Sequence, residues 1–112
     1  MDARISNVEN VLVAEIEGRI DGVTAQEFEA TVTSNIPEGG TPVVCDLSSV
    51  SYVSSAGLRA ILVIAKRLSK TEASFSICGL SGSVAEVFRV SGFDKIIKVH
   101  GSREDALAEA KA

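Results

Sequence analysis

The chain changes its hydrophobic period near its middle, and this change constrains the fold more than any other feature. Residues 42–47 (PVVCDL) form a short apolar run, as is typical of a central strand covered on both faces. From about Ser55 onward the apolar residues recur at helical spacing and predict an amphipathic helix. They are Leu58, Ile61, Leu62, Ala65 and Leu68. A buried strand that leads into a buried helix is a building unit of α/β domains.

The rest of the chain repeats this alternation of strand and helix patterns. Residues 3–6 and 11–20 flank a polar turn and predict a β-hairpin whose second strand has one buried and one solvent-exposed face. Asp21 or Thr24 is expected to cap the helix that follows the hairpin. The other predicted elements are helices over 25–36, over 84–90 and after a cap at Ser102, and strands over 74–77 and 95–99.

The order of these elements along the chain, ββαβαβαβα, restricts the topology. Strand–helix–strand units require right-handed crossovers and therefore a largely parallel sheet, to which the hairpin adds one antiparallel strand. We predict an α/β fold with a mixed, largely parallel central sheet of about five strands and about four helices. Residues 1–112 contain no linker or internal repeat and are expected to form a single domain.

Charge and composition exclude several classes of protein. The formal net charge is −4, from 15 acidic and 11 scattered basic residues, so no nucleic-acid-binding face is expected. No run approaches the roughly 20 apolar residues of a membrane span, and the first residues lack the features of a secretory signal. We therefore expect a cytoplasmic protein. Cys45 and Cys78, with one histidine in the chain, do not make a metal site and are expected to be buried, reduced thiols.

Residues 46–58 (DLSSVSYVSSAGL) hold five serines and are expected to form a loop between the buried strand and the central helix. Functional sites of open α/β sheets lie at such carboxyl ends of strands. Either Ser54 or Ser55 caps the helix, or one of them takes part in chemistry. A nucleophilic serine needs a general base, usually a histidine held by a carboxylate, and the only histidine, His100, follows the last predicted strand. Val53 also stands where the hydrolase elbow has glycine, so we do not expect an enzyme of this class.

A second polar loop, residues 79–83 (GLSGS), opens another predicted helix. It matches neither the P-loop nor the dinucleotide-binding glycine pattern. Its backbone amides would suit one anion, or the segment is a turn with a serine cap. No cofactor is predicted from either loop.

Residues 46–58, together with the apolar helix after them, resemble the signature of the STAS domain, which sulphate transporters share with bacterial anti-sigma factor antagonists. The acid, the paired small residues, the glycine and the leucine of this motif keep their spacing. The resemblance extends over almost the whole chain and includes 18–21 (GRID), 78–88 (CGLSGSVAEVF), 91–96 (SGFDKI) and 102–107 (SREDAL). Without a transporter span, the chain is similar to the free antagonists rather than to the transporter tails.

The resemblance implies a binding switch and not an enzyme. Such antagonists bind an anti-sigma factor that is also a serine kinase, and this binding releases a sigma factor. Phosphorylation of one serine at the start of the central helix ends the interaction, and a metal-dependent serine/threonine phosphatase restores it. The phospho-acceptor corresponds to Ser55. Ser54, which stands where many relatives carry aspartate, is the alternative acceptor.

The resemblance also implies a surface that meets the partner. The expected partner-binding residues are Asp21, Asp46, Ser54, Ser55, Ala56 and Gly57. For Asp46, a structural role as acceptor of backbone hydrogen bonds is the alternative. No catalytic residue, metal or cofactor is implied, and a monomer or weak dimer is expected. The alternative function is a STAS-type module that binds a nucleotide or small anion, or that serves as a scaffold.

Overall fold

A computed structural model describes residues 1–111. Within this range the chain forms a sheet of five strands with four helices and one 3-10 turn, in the predicted order. The strands are β1 (Asp2–Val8), β2 (Val11–Ile20), β3 (Val43–Val53), β4 (Phe75–Cys78) and β5 (Lys98–His100). The helices are α1 (Ala25–Ser34), α2 (Ser55–Ser69), α3 (Gly82–Ser91) and α4 (Arg103–Ala110), and the 3-10 turn is Phe93–Lys95.

The strands follow one another across the sheet in the order β1-β2-β3-β4-β5. β1 pairs antiparallel with β2, and the other neighbouring strands pair parallel. Each crossover advances in the same direction, and right-handed crossovers then place α1, α2 and α3 on the same face of the sheet. α4 packs on the opposite face. The predicted α/β class with a largely parallel sheet is confirmed.

Two apolar clusters hold these layers together. The larger lies between the sheet and α1, α2 and α3, where Phe28, Ile61 and Phe88 are buried against the strands. The prediction of one solvent-exposed face on β2 is wrong for the first half of that strand. α4, from the far end of the chain, covers this half and forms the smaller cluster. Its buried members are Val11, Val13, Val44, Cys78 and Ala106.

The two cysteines are buried and free, as predicted. Cys45 belongs to the cluster under α1, α2 and α3, whereas Cys78 belongs to the cluster under α4. Burial raises the pKa of the Cys45 thiol to about 12 and that of the Cys78 thiol to about 11. Both side chains therefore stay protonated at neutral pH and act as small apolar residues.

β3 is longer than predicted, because the expected loop from about residue 47 is the second half of the strand. Its pairing with β2 shifts register twice, and each shift places one extra residue on β3. The buried positions of this stretch, Leu47, Val50 and Val53, are consequently spaced by three residues and not by two. The two bulges conceal the alternation by which a strand is recognised in a sequence.

The last strand begins later than the predicted segment 95–99. Gly92 ends α3 in the left-handed conformation (φ 78°), and the 3-10 turn follows at once. β5 begins only at Lys98. Ile97 is buried while Ile96 is 68% exposed, so the apolar pair that indicated a strand is divided between core and solvent.

Candidate functional site

The carboxyl ends of β2 and β3 lie side by side and lead into the two halves of the site. The backbone amide of Ser54 donates to the carbonyl of Ile20 over 2.9 Å and so joins the end of β3 to the end of β2. The chain after Ile20 forms the loop 21–24, and the chain after Ser54 enters α2 directly. The start of α2 and the loop that contains Asp21 are therefore neighbours, as the predicted site requires.

Ser54 is the N-cap residue of α2. Its backbone is extended (φ −90°, ψ 177°), and its hydroxyl oxygen accepts a hydrogen bond from the backbone amide of Gly57 over 3.3 Å. Its carbonyl accepts a bond from the amide of Leu58. The hydroxyl bond satisfies an amide that the start of a helix otherwise leaves unpaired, and the carbonyl bond is the first regular hydrogen bond of the helix. The cap that the sequence placed at Ser54 or Ser55 belongs to Ser54.

Ser55 is the first residue of α2 and is exposed. Within residues 1–111 its hydroxyl forms no side-chain hydrogen bond. The hydroxyl groups of the two adjacent serines therefore differ in their hydrogen bonding. The hydroxyl of Ser54 is engaged in the helix cap, whereas that of Ser55 is available to another molecule.

Gly57 is buried where α2 meets β2. A Cβ atom at this position would lie 2.4 Å from the carbonyl oxygen of Ile20 and 3.0 Å from Cγ1 of Val53. Only glycine permits so close an approach of the two backbones. Ala56, the other small residue, is half-buried and packs against the large core. Gly57 thus sets the position of α2, and lies behind the exposed surface rather than on it.

Asp21 shapes the loop between β2 and α1. Its Oδ1 accepts hydrogen bonds from the backbone amides of Val23 (3.0 Å) and Thr24 (3.2 Å). These backbone hydrogen bonds hold the pKa of the Asp21 carboxyl below its usual value. Thr24 occupies the N-cap position of α1, but its hydroxyl donates to the carbonyl of Arg19 and does not cap the helix. Val23 in this loop is 90% exposed.

Asp46 lies away from this site, in the first half of β3. Its partner on β2, Glu15, is five residues before Ile20, so at a rise of about 3.3 Å per residue Asp46 lies about 17 Å from the end of the strand. Its Oδ2 accepts a hydrogen bond from Nε of Arg103 over 2.9 Å, and Nη2 of Arg103 also donates to Oε2 of Glu15 over 2.7 Å. The amide of Ser48 donates to Oδ1 over 3.0 Å. The geometry therefore supports the structural role for Asp46, because it joins β3 to α4.

The charge state of Asp46 follows from these contacts. Burial opposes ionisation of the carboxyl, but the hydrogen bonds from Ser48 and Arg103 outweigh it and leave the pKa of Asp46 below its usual value. The bond to Asp46 likewise raises the pKa of Arg103. The buried carboxylate of Asp46 and the half-buried guanidinium of Arg103 are therefore both charged at neutral pH.

A family model for the STAS domain matches residues 2–106. The chain belongs to the STAS family. BtrV of Bordetella bronchiseptica, provisionally named an anti-sigma factor antagonist, is 36% identical over 111 residues, which cover 99% of this chain and 96% of BtrV. The anti-sigma-F factor antagonist RsfB of Mycobacterium tuberculosis is 24% identical over 103 residues, which cover 92% of this chain and 84% of RsfB.

Solved STAS structures have the same fold. An anti-sigma factor antagonist from Mycobacterium paratuberculosis gives a TM-score of 0.90 at 23% identity, over 99% of this chain and 94% of its own. The antagonist SpoIIAA, solved in its unphosphorylated form, gives a TM-score of 0.72 at 15% identity, over 96% of both chains. The names of the relatives describe regulatory proteins, in agreement with the prediction that this STAS domain is not an enzyme.

The STAS domain carries groups beside the site that sequence reasoning missed. Arg19 and Tyr52 are paired positions of β2 and β3, and the guanidinium carbon of Arg19 lies 4.4 Å from the centre of the Tyr52 ring. Nε of Arg19 is also 3.4 Å from Oδ2 of Asp21. Arg19 and Tyr52 each stand one position before the end of their strands, and this shared position could have indicated the pair from the sequence. To find the pair in this way, one would have had to know that β3 extends to Val53.

A groove of about 300 Å³ extends from the site between α1 and α2. Val63 on its wall is 39% exposed, so this face of α2 is open to solvent. The walls of the groove include Gly22, Gln26, Glu29, Ala56, Arg59 and Val63. The groove combines small and apolar residues with one acid, Glu29, and one base, Arg59, neither of which forms an ion pair within residues 1–111.

The other predicted chemistry-bearing groups lie apart from this site. In the loop 79–83, Gly79 has a positive φ (79°) and a Cβ there would lie 2.8 Å from Cβ of Ser48, so close packing requires glycine. Ser81 occupies the N-cap position of α3 without a capping side-chain bond, so the serine cap expected there is wrong. His100 ends β5, two strands from β3, and provides no base to Ser55.

Residues 1–111 contain neither a metal-binding cluster nor a helix suited to a membrane. In that part of the chain, no group of three or more histidine, cysteine, aspartate or glutamate side chains is placed to bind a metal ion. Nor does any helix there combine the length and the apolar character that a bilayer crossing requires.

Proposed function

We propose that this STAS domain is an anti-sigma factor antagonist that binds its partner through the loop 21–24 and the start of α2, and that phosphorylation of Ser55 ends the binding. The observation that carries the proposal is the difference between the two serines. The hydroxyl of Ser54 accepts the amide of Gly57, while Ser55 is exposed and its hydroxyl has no side-chain partner within residues 1–111. The names of BtrV and RsfB support the antagonist function.

In this proposal the anti-sigma factor is itself the serine kinase, and a metal-dependent serine/threonine phosphatase reverses the modification. Binding of the unmodified domain occupies the anti-sigma factor and releases a sigma factor. The description of SpoIIAA as solved in its unphosphorylated form supports a phosphorylation switch in at least one relative. Asp21 contributes to partner binding by fixing the conformation of the loop beside Ser55. Ala56 contributes by leaving the first turn of α2 free of a large side chain, so that a partner can approach it.

The physical effect of the phosphate is local. It adds about −1.5 to −2 charges and three acceptor oxygens. The first turn of α2 contains no acidic residue, and the positive end of the helix dipole favours an anion there, so the fold accommodates the group. A partner surface fitted to a neutral serine would have to bury a hydrated dianion, which costs several kcal/mol unless it is paired. A loss of about 4 kcal/mol lowers affinity about a thousandfold.

The test uses the domain as bait in an extract of its own cells. An ATP-dependent anti-sigma factor is expected in the bound fraction, and incubation with this protein and ATP is expected to add the mass of one phosphate. Fragmentation mass spectrometry then places the group. Ser55→Ala is expected to abolish the gain, and Ser54→Ala, the matched control, to retain it. No gain on the wild type contradicts the phosphorylation switch, and an unchanged gain on Ser55→Ala contradicts the choice of serine.

A further inference from the structure

Arg59 lies one helical turn after Ser55 on α2. Residues four apart on a helix are neighbours, with Cβ atoms about 5–6 Å from one another. Both residues are exposed. Arg59 also lines the groove between α1 and α2, so the same side chain borders both Ser55 and the groove.

Arg59 has no carboxylate partner within residues 1–111. Four other arginines in that range form ion pairs, namely Arg4, Arg19, Arg89 and Arg103. Arg59 forms none, although Glu29 lines the same groove, and the first turn of α2 contains no acidic residue. In a chain with a net charge of −4, an exposed cation without a partner marks a position where an incoming anion meets little competition.

We infer that Arg59 is a built-in counter-ion for a phosphate on Ser55. An anionic residue four positions before a cationic one is the favourable orientation on a helix, and a guanidinium binds phosphate oxygens through two parallel N–H groups. Ser54 lacks this relation, because it is five positions from Arg59 and its hydroxyl is engaged in the cap. The inference rests on the proposed function and names Arg59 as a positioning residue of its modified state.

An ion pair between the Ser55 phosphate and Arg59 would also change the binding surface away from Ser55. In the unmodified domain the guanidinium of Arg59 borders the groove between α1 and α2, where it is available to an acidic group of a partner. A phosphate on Ser55 draws the guanidinium toward the start of α2. Phosphorylation therefore changes two charges on the binding surface, because one anion appears and one cation is withdrawn from the groove.

The experiment installs phosphoserine at position 55 during translation and follows its phosphorus NMR shift against pH. The second pKa of a free phosphoserine is about 6. A nearby cation favours the dianion, so we expect Arg59→Gln to raise this pKa by about half a unit relative to the parent phosphoprotein, and Arg59→Lys to recover part of the difference. Asp21 and Glu29, the acidic groups of the neighbouring loop and of α1, raise the phosphate pKa alike in every variant.

Arg67→Gln is the matched control, since Arg67 is exposed on the same helix and the residue four positions before it is Val63. It removes the same charge and is expected to leave the phosphate titration unchanged. Equal titration of the Arg59→Gln variant and its parent overturns the inference, as does an equal shift in Arg67→Gln. Because phosphoserine is installed without a kinase, these outcomes are independent of whether a kinase modifies Ser55. Phosphoserine at position 54 is expected to titrate alike with and without Arg59.

Discussion

The two ends of β3 place polar side chains in opposite situations. In the first half of the strand, Asp46 is 6% exposed, and its carboxylate is bonded to Arg103 of α4 and to the amide of Ser48. After the last residue of the strand, Ser55 is exposed and its hydroxyl has no side-chain partner within residues 1–111. The paired groups hold α4 on the sheet, whereas the unpaired ones are available to another molecule. Changes to Asp46 should therefore alter stability alone, and changes to Ser55 should alter binding with little effect on stability.

The largest effect is expected from Ser55→Asp. A carboxylate at the first position of α2 introduces part of the charge of a phosphate, so we expect affinity for the anti-sigma factor to fall about a hundredfold, measured by titration calorimetry. The thermal midpoint should stay within a few degrees, since an acid suits the start of a helix. Ser83→Asp, an exposed serine in the first turn of α3, is the matched control and should bind normally. Loss of the folded circular dichroism signal in Ser55→Asp would contradict a switch that leaves the fold intact.

The next effect is expected from Gly57→Ala, which tests the buried side of the same helical turn. The added methyl group would lie 2.4 Å from the carbonyl oxygen of Ile20, so backbone must move. We expect the free energy of unfolding in urea to fall by about 3 kcal/mol. Gly101→Ala is the control, because nothing lies within 4 Å of a Cβ there. If both variants are equally stable, α2 is not held against β2 in the way described.

Asp46→Asn probes the other end of β3. At pH 7 we expect a loss of about 1.5 kcal/mol in the free energy of unfolding, because an amide cannot replace the charge that meets Arg103. The pKa of Asp46 is lowered in the folded state, so its contribution is present above the unfolded pKa of about 3.9 and is lost as the pH falls through the folded pKa. The difference between wild type and variant should therefore shrink as the pH falls below about 4. Weaker binding of the partner by this variant would place Asp46 in the interface after all.

The smallest effect separates the two neighbouring serines. Ser54→Ala removes the cap of α2 and is expected to lower the free energy of unfolding by about 1 kcal/mol. Ser55→Ala removes an exposed hydroxyl and should change it by less than about 0.5 kcal/mol. Parallel urea unfolding of the two variants measures the difference. The reverse order would assign the cap to Ser55 and remove the basis for treating its hydroxyl as free.

Elements with an uninterrupted pattern could be predicted from the sequence. The apolar stripe of α2 and the alternation of β2 gave their positions, and Ser102 caps α4 by accepting the amide of Asp105, as predicted. The second half of β3 could not be predicted, because two bulges change the spacing of its buried residues from two to three. For the same reason the sequence pattern put Asp46 in one loop with the serines, whereas the second half of β3 separates them.

The candidate site was predictable only in part. The likeness of 46–58 to a known signature indicated the start of α2, and its position at the end of a parallel strand agreed with that. Which of Ser54 and Ser55 caps α2 could be decided only from the structure, because the sequence allows either residue at the N-cap position. Arg59 was also missed, since an exposed arginine on a helix carries no signal until the absence of an ion pair within residues 1–111 is known.

The two extra residues of β3 also bear on how the length of such chains can vary through evolution. Each bulge contains one residue that is not paired with a residue of β2. Deletion of one such residue would remove its bulge and leave the end of the strand beside Ile20. We therefore expect relatives to differ by one or two residues between positions 46 and 52 and to keep the same start of α2. Alignment gaps in this stretch would then record the loss of a bulge rather than the loss of the serine site.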